Sequence, residues 1–209
     1  MFVKICGITS EADALLAVAL GADAIGFIFA PSPRQIAPLA AADIVKRLPP
    51  EIVTLGVFRD ETSQRVLEIV HAAHLHGAQL HGHESTETAF EVANGVRFSV
   101  KAVVAGSHSA RVGDTYGVDA LLVDGPNPGS GEAYDWELLN EIPASMRFIL
   151  AGGLTPDTVS QAIMMARPWG VDVSSGVEKS PGVKDAVKMR HFIANARSAA
   201  SMLGDNDLL

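Results

Sequence analysis

Cysteine is almost missing. Cys6 is the only one in 209 residues, so no internal disulfide can form. That excludes a disulfide scaffold and suits a reducing, cytoplasmic setting. Charge is scarce too, at 19% of residues against 48% hydrophobic, which is the opposite of a disordered chain. There is no excess of positive charge. The formal net charge is −8, so a polyanion is repelled on average and nucleic acid is not an expected partner. Small anionic substrates stay compatible, because a pocket can be locally positive. No long hydrophobic run occurs. The most apolar stretch, 14–30, is broken by Asp23, Gly21 and Gly26. A membrane span needs roughly 18 uninterrupted apolar residues. The opening Met1-Phe2-Val3-Lys4 lacks a basic segment followed by an apolar core and a cleavage site, so no secretory signal is expected.

What is present is alternation. Short apolar or β-branched runs at 2–6, 24–29, 52–57, 78–80, 97–102, 120–123, 148–150 and 171–174 read as strands. Several are continuous rather than alternating, as in strands covered on both faces. Between them, 11–20, 40–48, 63–73, 86–93, 156–166 and 183–201 carry apolar residues at helical spacing, with weaker signals at 107–112 and 136–141. Ser10 is a plausible N-cap. Four junctions share a pattern: Gly21-Ala22-Asp23-Ala24, Gly77-Ala78-Gln79-Leu80, Gly117-Val118-Asp119-Ala120 and Gly170-Val171-Asp172-Val173. A glycine after a helix can take the left-handed conformation and turn the chain into a strand. The junctions fall on every second strand, consistent with a two-module unit used four times or with shared loop chemistry. Eight strand–helix modules imply an α/β fold of the (β/α)₈ TIM-barrel type, one domain across 1–209. An open doubly wound sheet needs fewer strands, and no Gly-x-Gly-x-x-Gly follows the first strand.

In such a barrel the active site lies at the C-terminal ends of the strands. Cys6 ends the first. Arg34 follows the second, His81 the fourth, and Asp124 the sixth. Lys101 lies near the end of the fifth. Gly152 and Gly153 follow the seventh, Ser175 and Gly176 the eighth. Small residues after the last two strands let backbone N–H groups approach a phosphate, although glycines also simply make tight turns. A lone cysteine is often a buried small hydrophobe. At a strand tip, its sulfur faces the mouth. It needs a cationic neighbour or a helix N-terminus to act as a base near neutral pH, since a free thiol has a pKa of about 8.5. Asp124 is either a loop aspartate or an acid held at a strand tip opposite Cys6. His71, His74, His76, His81 and His83 crowd one region. No cysteine lies among them and no carboxylate stands at a recognisable ligand spacing. A helix-end role is therefore simpler than a metal, and no metal is expected.

The residues resemble one family. Lys4-Ile5-Cys6-Gly7-Ile8-Thr9, Ser32-Pro33-Arg34, Gln79-Leu80-His81-Gly82, Leu121-Leu122-Val123-Asp124, Gly129-Ser130-Gly131 and Val173-Ser174-Ser175-Gly176-Val177-Glu178 are similar to the motifs of phosphoribosylanthranilate isomerases. The similarity runs nearly end to end. Gln35, Thr158 and the single glycine before Ser130 depart from the family's usual residues. The resemblance implies an Amadori rearrangement of N-(5-phosphoribosyl)anthranilate in tryptophan biosynthesis, without cofactor or metal. It implies Asp124 as acid, Cys6 as base and Arg34 as holder of the anthranilate carboxylate. It also implies His81, Gly152, Gly153, Ser175 and Gly176 as substrate contacts. The only expected partner is a phosphorylated small molecule, with a monomer or homodimer as the assembly. Another sugar-phosphate isomerase or epimerase, or a non-catalytic phosphate-binding barrel, is the competing reading. Neither needs both Cys6 and Asp124.

Overall fold

Eight parallel strands lie side by side in sequence order, and the last closes on the first. They are β1 (Phe2–Cys6), β2 (Ala24–Ile28), β3 (Val53–Phe58), β4 (Gly77–Leu80), β5 (Phe98–Val104), β6 (Ala120–Asp124), β7 (Phe148–Leu150) and β8 (Gly170–Val173). Residues Phe2, Val3, Lys4 and Ile5 pair with Gly170, Val171, Asp172 and Val173 to seal the ring. Closure leaves no strand edge unpaired. This computed structural model describes residues 1–125 and 136–203. The sequence expectations for Gly129, Ser130 and Gly131 lie outside the described residues.

Around the barrel run α1 (Glu11–Ala19), α2 (Pro38–Val45), α3 (Ser63–Ala72), α4 (Thr86–Gly95), α5 (His108–Arg111), α6 (Val159–Ala166) and α7 (Ala186–Leu203). Residues Trp136–Glu141 form only a 3₁₀ turn. Ser10, Thr62, Ser85 and Ser107 each accept a bond from the backbone N–H three residues on, satisfying one of the first-turn donors. The helices bury apolar stripes on the outer wall of the barrel. Inside the barrel, Leu55, Val100, Ala102, Ala120, Leu122, Ile149 and Ala151 form a second, smaller core. Phe2, Phe98 and Trp169 close its floor, with Phe2 stacked on Trp169 at 4.6 Å between ring centroids.

The four shared junctions divide into two kinds. Gly21 (φ 96°) and Gly117 (φ 66°) are left-handed, as expected. Gly77 and Gly170 sit inside β4 and β8, and the left-handed residues there are His74 and Arg167. Glycine is required at Gly77 for a different reason. A Cβ there would lie 1.7 Å from the Phe98 carbonyl oxygen of the neighbouring strand. The polar junction residue acts as a clamp in two copies. Asp23 accepts from Val3 N, and Asp119 from Ser99 N, both at 2.7 Å. His76 sits at the equivalent place below β4, its Nδ1 3.3 Å from Thr54 N and 2.9 Å from Thr54 Oγ1.

The helix expected at 156–166 starts only at Val159, and the last helix departs from the sequence reading in a way that shapes the mouth. Residue 183 does not open the last helix. Val183–Lys184 (β10) pairs antiparallel with Glu178–Ser180 (β9), and α7 starts at Ala186. Asp185 decides the boundary. Its Oδ1 accepts from Val187 N at 2.9 Å and Lys188 N at 3.0 Å, which caps the helix and leaves Val183 outside it. The Pro181-Gly182 turn, with Gly182 at φ 80°, folds the hairpin over the barrel mouth.

Candidate active site

A cavity of about 900 Å³ opens at the C-terminal ends of the strands. Cys6, Arg34, His81, Asp124, Gly152, Gly153, Ser175 and Gly176 all line it. Strand alternation explains the convergence. Residues two apart share a face, so Lys4 and Cys6, Gln79 and His81, Leu122 and Asp124, and Asp172 and Ser174 point into the barrel together.

Cys6 is 5% exposed at the tip of β1. Gly26 on β2 makes room for it: a Cβ there would be 2.8 Å from Sγ. Burial pushes the thiol up, the Lys4 charge pulls it down, Asp172 pushes it up again and Lys184 pulls it down. The net direction is upward. Asp124 is half-buried at the tip of β6. Burial raises its carboxyl and the neighbouring Asp172 adds to the rise, while Gly125 N, donating to Oδ1 at 2.8 Å, opposes it. A raised carboxyl is what an acid working near neutral pH needs.

Arg34 is not a solvated loop arginine. Its Nε and Nη2 donate to the two carboxylate oxygens of Glu178, at 2.8 and 2.7 Å. Lys184 Nζ also donates to Glu178, at 2.9 Å, and to the Ser174 carbonyl at 3.1 Å. Two cations therefore share one carboxylate, leaving an excess of positive charge at this wall. Gly7, left-handed at φ 72°, lies beneath Arg34, where a Cβ would meet Arg34 Cδ at 2.7 Å.

His81 pairs through Nδ1 with Gln79 Nε2 at 2.8 Å. Burial holds the ring below its ordinary pKa, which favours the neutral imidazole near pH 7. Lys101 is not free for a ligand. Its ammonium donates to Gly82 O at 2.8 Å, Glu84 at 2.9 Å and Ala102 O at 3.0 Å. That buried network shapes the loop after β4 instead.

After β7, Gly152 and Gly153 are both left-handed, at φ 88° and 62°. After β8, residues Ser175–Val177 make a single 3₁₀ turn. A Cβ on Gly176 would stand 1.9 Å from the Leu154 carbonyl oxygen, so only glycine lets these two loops approach. Both loops line the cavity side by side.

The family model described as "N-(5'phosphoribosyl)anthranilate (PRA) isomerase" matches residues 3–195. The chain belongs to this family. A curated relative from Desulforudis audaxviator, N-(5'-phosphoribosyl)anthranilate isomerase, is 46% identical over 205 residues, covering 94% of this chain and 98% of that one. The phosphoribosyl anthranilate isomerase structure from Thermus thermophilus superimposes with a TM-score of 0.88 at 45% identity, covering 95% of this chain and 99% of that one. A third, at TM-score 0.82 and 37% identity over 95% of this chain and 99% of that one, is an isomerase in complex with reduced 1-(o-carboxyphenylamino)-1-deoxyribulose 5-phosphate.

For a phosphoribosylanthranilate isomerase, the two departures among the described residues, Gln35 and Thr158, are peripheral. Gln35 bonds the Phe29 carbonyl at 2.8 Å on the outer rim. Thr158 Oγ1 accepts from Thr155 N at 3.0 Å. Several residues of the site were missed: Lys4, Gln79, Asp172, Glu84, Glu178 and Lys184. Three of them had a visible signal. Lys4, Gln79 and Asp172 are polar residues within otherwise apolar strands, two positions before the residues at their strands' mouths (Cys6, His81 and Ser174).

Proposed function

We propose that residues 1–209 form one catalytic barrel in which Asp124 is the acid and Cys6 the base of the isomerisation. The observation that carries this reading is the placement of these two groups, on β1 and β6, in one cavity with the glycine rim of β7 and β8. The reaction is the Amadori rearrangement of N-(5-phosphoribosyl)anthranilate in tryptophan biosynthesis. Asp124 delivers a proton to the ring oxygen as the bond from that oxygen to C1 breaks. The anthranilate nitrogen supplies the electron pair, which leaves a Schiff base. Cys6, as thiolate, then removes the proton from C2, and those electrons flow into the imine. A final shift of the O2 proton to C1 gives the ketose product. The imine is itself the electron sink.

The glycine rim receives the phosphate. Arg34 receives the anthranilate carboxylate through the N–H groups that Glu178 does not occupy. A guanidinium has five donors, and Glu178 accepts from Nε and Nη2, so Nη1 is the free face. His81, neutral, offers its second ring nitrogen to a sugar hydroxyl. A relative's complex with a reduced, phosphorylated analogue of the product supports the same substrate class here. Among the described residues no helix is long and apolar enough to cross a membrane. The cytoplasm is the proposed location, supported by the near absence of cysteine.

The direct test is loss of fluorescence of freshly prepared phosphoribosylanthranilate. Cys6→Ser should lower kcat by at least about a hundredfold, because an alkoxide base is inaccessible at neutral pH. Near-normal turnover in this variant would end the assignment of the base.

A further inference from the structure

The Lys4 side chain is wholly buried. A buried ammonium is costly unless an anion accompanies it. Its Nζ donates to Asp172 Oδ1 at 2.8 Å, across the seam where β8 closes on β1. Asp172 is itself nearly enclosed, with a side chain 11% exposed. The third group at this point is Cys6. A Cβ placed on Gly26 would be 2.8 Å from Sγ and 3.1 Å from Lys4 Nζ. The sulfur and the ammonium therefore close over the same bare backbone, with no side chain from β2 between them.

We propose that Lys4 is a positioning residue for the isomerisation: locked by Asp172 over Gly26, its ammonium is the fixed counter-charge that allows Cys6 to exist as a thiolate.

This rests on Cys6 being the base, and it explains how a thiol enclosed in the barrel can be one. Four other charged groups face the same space. Lys184 from β10 and Arg34 from the loop after β2 are both tied to Glu178. Asp172 from β8 opposes the thiolate, and Asp124 from β6 faces Asp172. His81 from β4 is neutral. Lys4 is the cation that acts most strongly on the sulfur. Asp172 gives Lys4 an anion, and so keeps it charged, when the thiol is protonated. Burial would otherwise drive the amine to its neutral form, yet Asp172 and Cys6 hold Lys4 above its ordinary value. The competing explanation is that Lys4 and Asp172 only staple β1 to β8.

Cys6 is the only cysteine, so thiolate absorbance near 240 nm, taken as the difference from the same titration of Cys6→Ser to remove the tyrosinate signal, reports this group. The titration is made on the parent, Lys4→Met, Asp172→Asn and the double variant. Lys4→Met should raise the Cys6 pKa by about one unit or more. It should lower kcat/KM at pH 7 by about the same factor as the thiolate population, about tenfold per unit. Asp172→Asn should move the titration the opposite way, because the thiolate becomes the sole anion beside Lys4. The double variant, which leaves no unpaired buried charge, should still titrate above the parent. Lys4→Met may be replaced by that variant if it does not fold. A staple would lower the melting temperature without moving the thiol in opposite directions. A titration unmoved in both folded variants overturns the proposal, even where Cys6→Ser is inactive. If the titration moves while turnover at pH 7 does not follow, Cys6 is not the base, and the proposal falls with that reading.

Discussion

Asp124, the proposed acid, shows what such a group costs its own protein. Burial and Asp172 raise its carboxyl above the ordinary value. The folded state thus holds this proton more tightly than the unfolded chain does. The associated stability is complete below the unfolded value of about 3.9 and is lost as pH rises through the folded value. Asp124→Asn keeps the shape and removes the titration. The variant should therefore melt above the parent at pH 8, and the difference should shrink towards pH 4. Its turnover should fall roughly 10²- to 10⁴-fold, the range for one lost general acid. The alkaline limb of the parent's kcat profile should be missing. Lower stability at every pH together with nearly intact turnover would mean that Asp124 only braces its loop.

Among elements, the hairpin of β9 and β10 has the clearest energetic role. It brings Glu178 and Lys184 over the mouth, and Glu178 gathers Arg34, Lys184 and the Gly182 N–H. Burial pushes the Glu178 carboxyl up, but Arg34 and Lys184 outweigh it and hold it below the ordinary range. Its stabilisation is therefore present above the unfolded carboxyl value and lost as pH falls through the folded one. Glu178→Gln strands two cations that share one partner. The expected loss is about 2–4 kcal/mol near neutral pH, discounted from the about 3–5 kcal/mol for breaking a buried pair because Arg34 is partly in contact with solvent. The loss should be smaller in acid. KM should rise with little change in kcat, since Arg34 loses its orientation rather than its charge. Urea unfolding and steady-state kinetics on the one variant measure both effects. If Arg34→Ala raises KM and Glu178→Gln leaves it unchanged, the hairpin does not position Arg34.

The whole barrel is linked to its ligand. A reduced, unreactive product analogue at about a hundred times its Kd should add about 2.7 kcal/mol to stability. For a chain of this size that is a rise in Tm of roughly 5–10 °C. Cys6→Ser and Asp124→Asn should keep the rise, because they remove chemistry rather than binding. Gly176→Ala should abolish it, since its Cβ would stand 1.9 Å from the Leu154 carbonyl oxygen and force the two phosphate-side loops apart. A full ligand-induced rise in Gly176→Ala would show that the phosphate is held elsewhere.

The sequence by itself determined the order of strands and helices, because apolar period and helix caps are local properties. Ser10 and the run 2–6 needed no tertiary information. It also determined the residues at the strand tips, since Cys6 and Asp124 lie in motifs at the ends of apolar runs. Only the closed barrel decided what those residues meet. Lys4 and Asp172 are 168 positions apart and become partners because β8 pairs with β1. Glu178 and Arg34 are 144 apart and meet only when the hairpin folds over the mouth. His76, one of a crowd of histidines, became a strand clamp because Thr54 lies beside it. Gly77 and Gly170 look like helix caps in sequence, yet they are strand glycines. The need for a missing Cβ comes from a neighbouring strand's carbonyl, and no local pattern records that distance. Propensity acts over a few residues, whereas charge pairing and close approach act across space. The chain's path through the barrel alone sets which distant residues share that space.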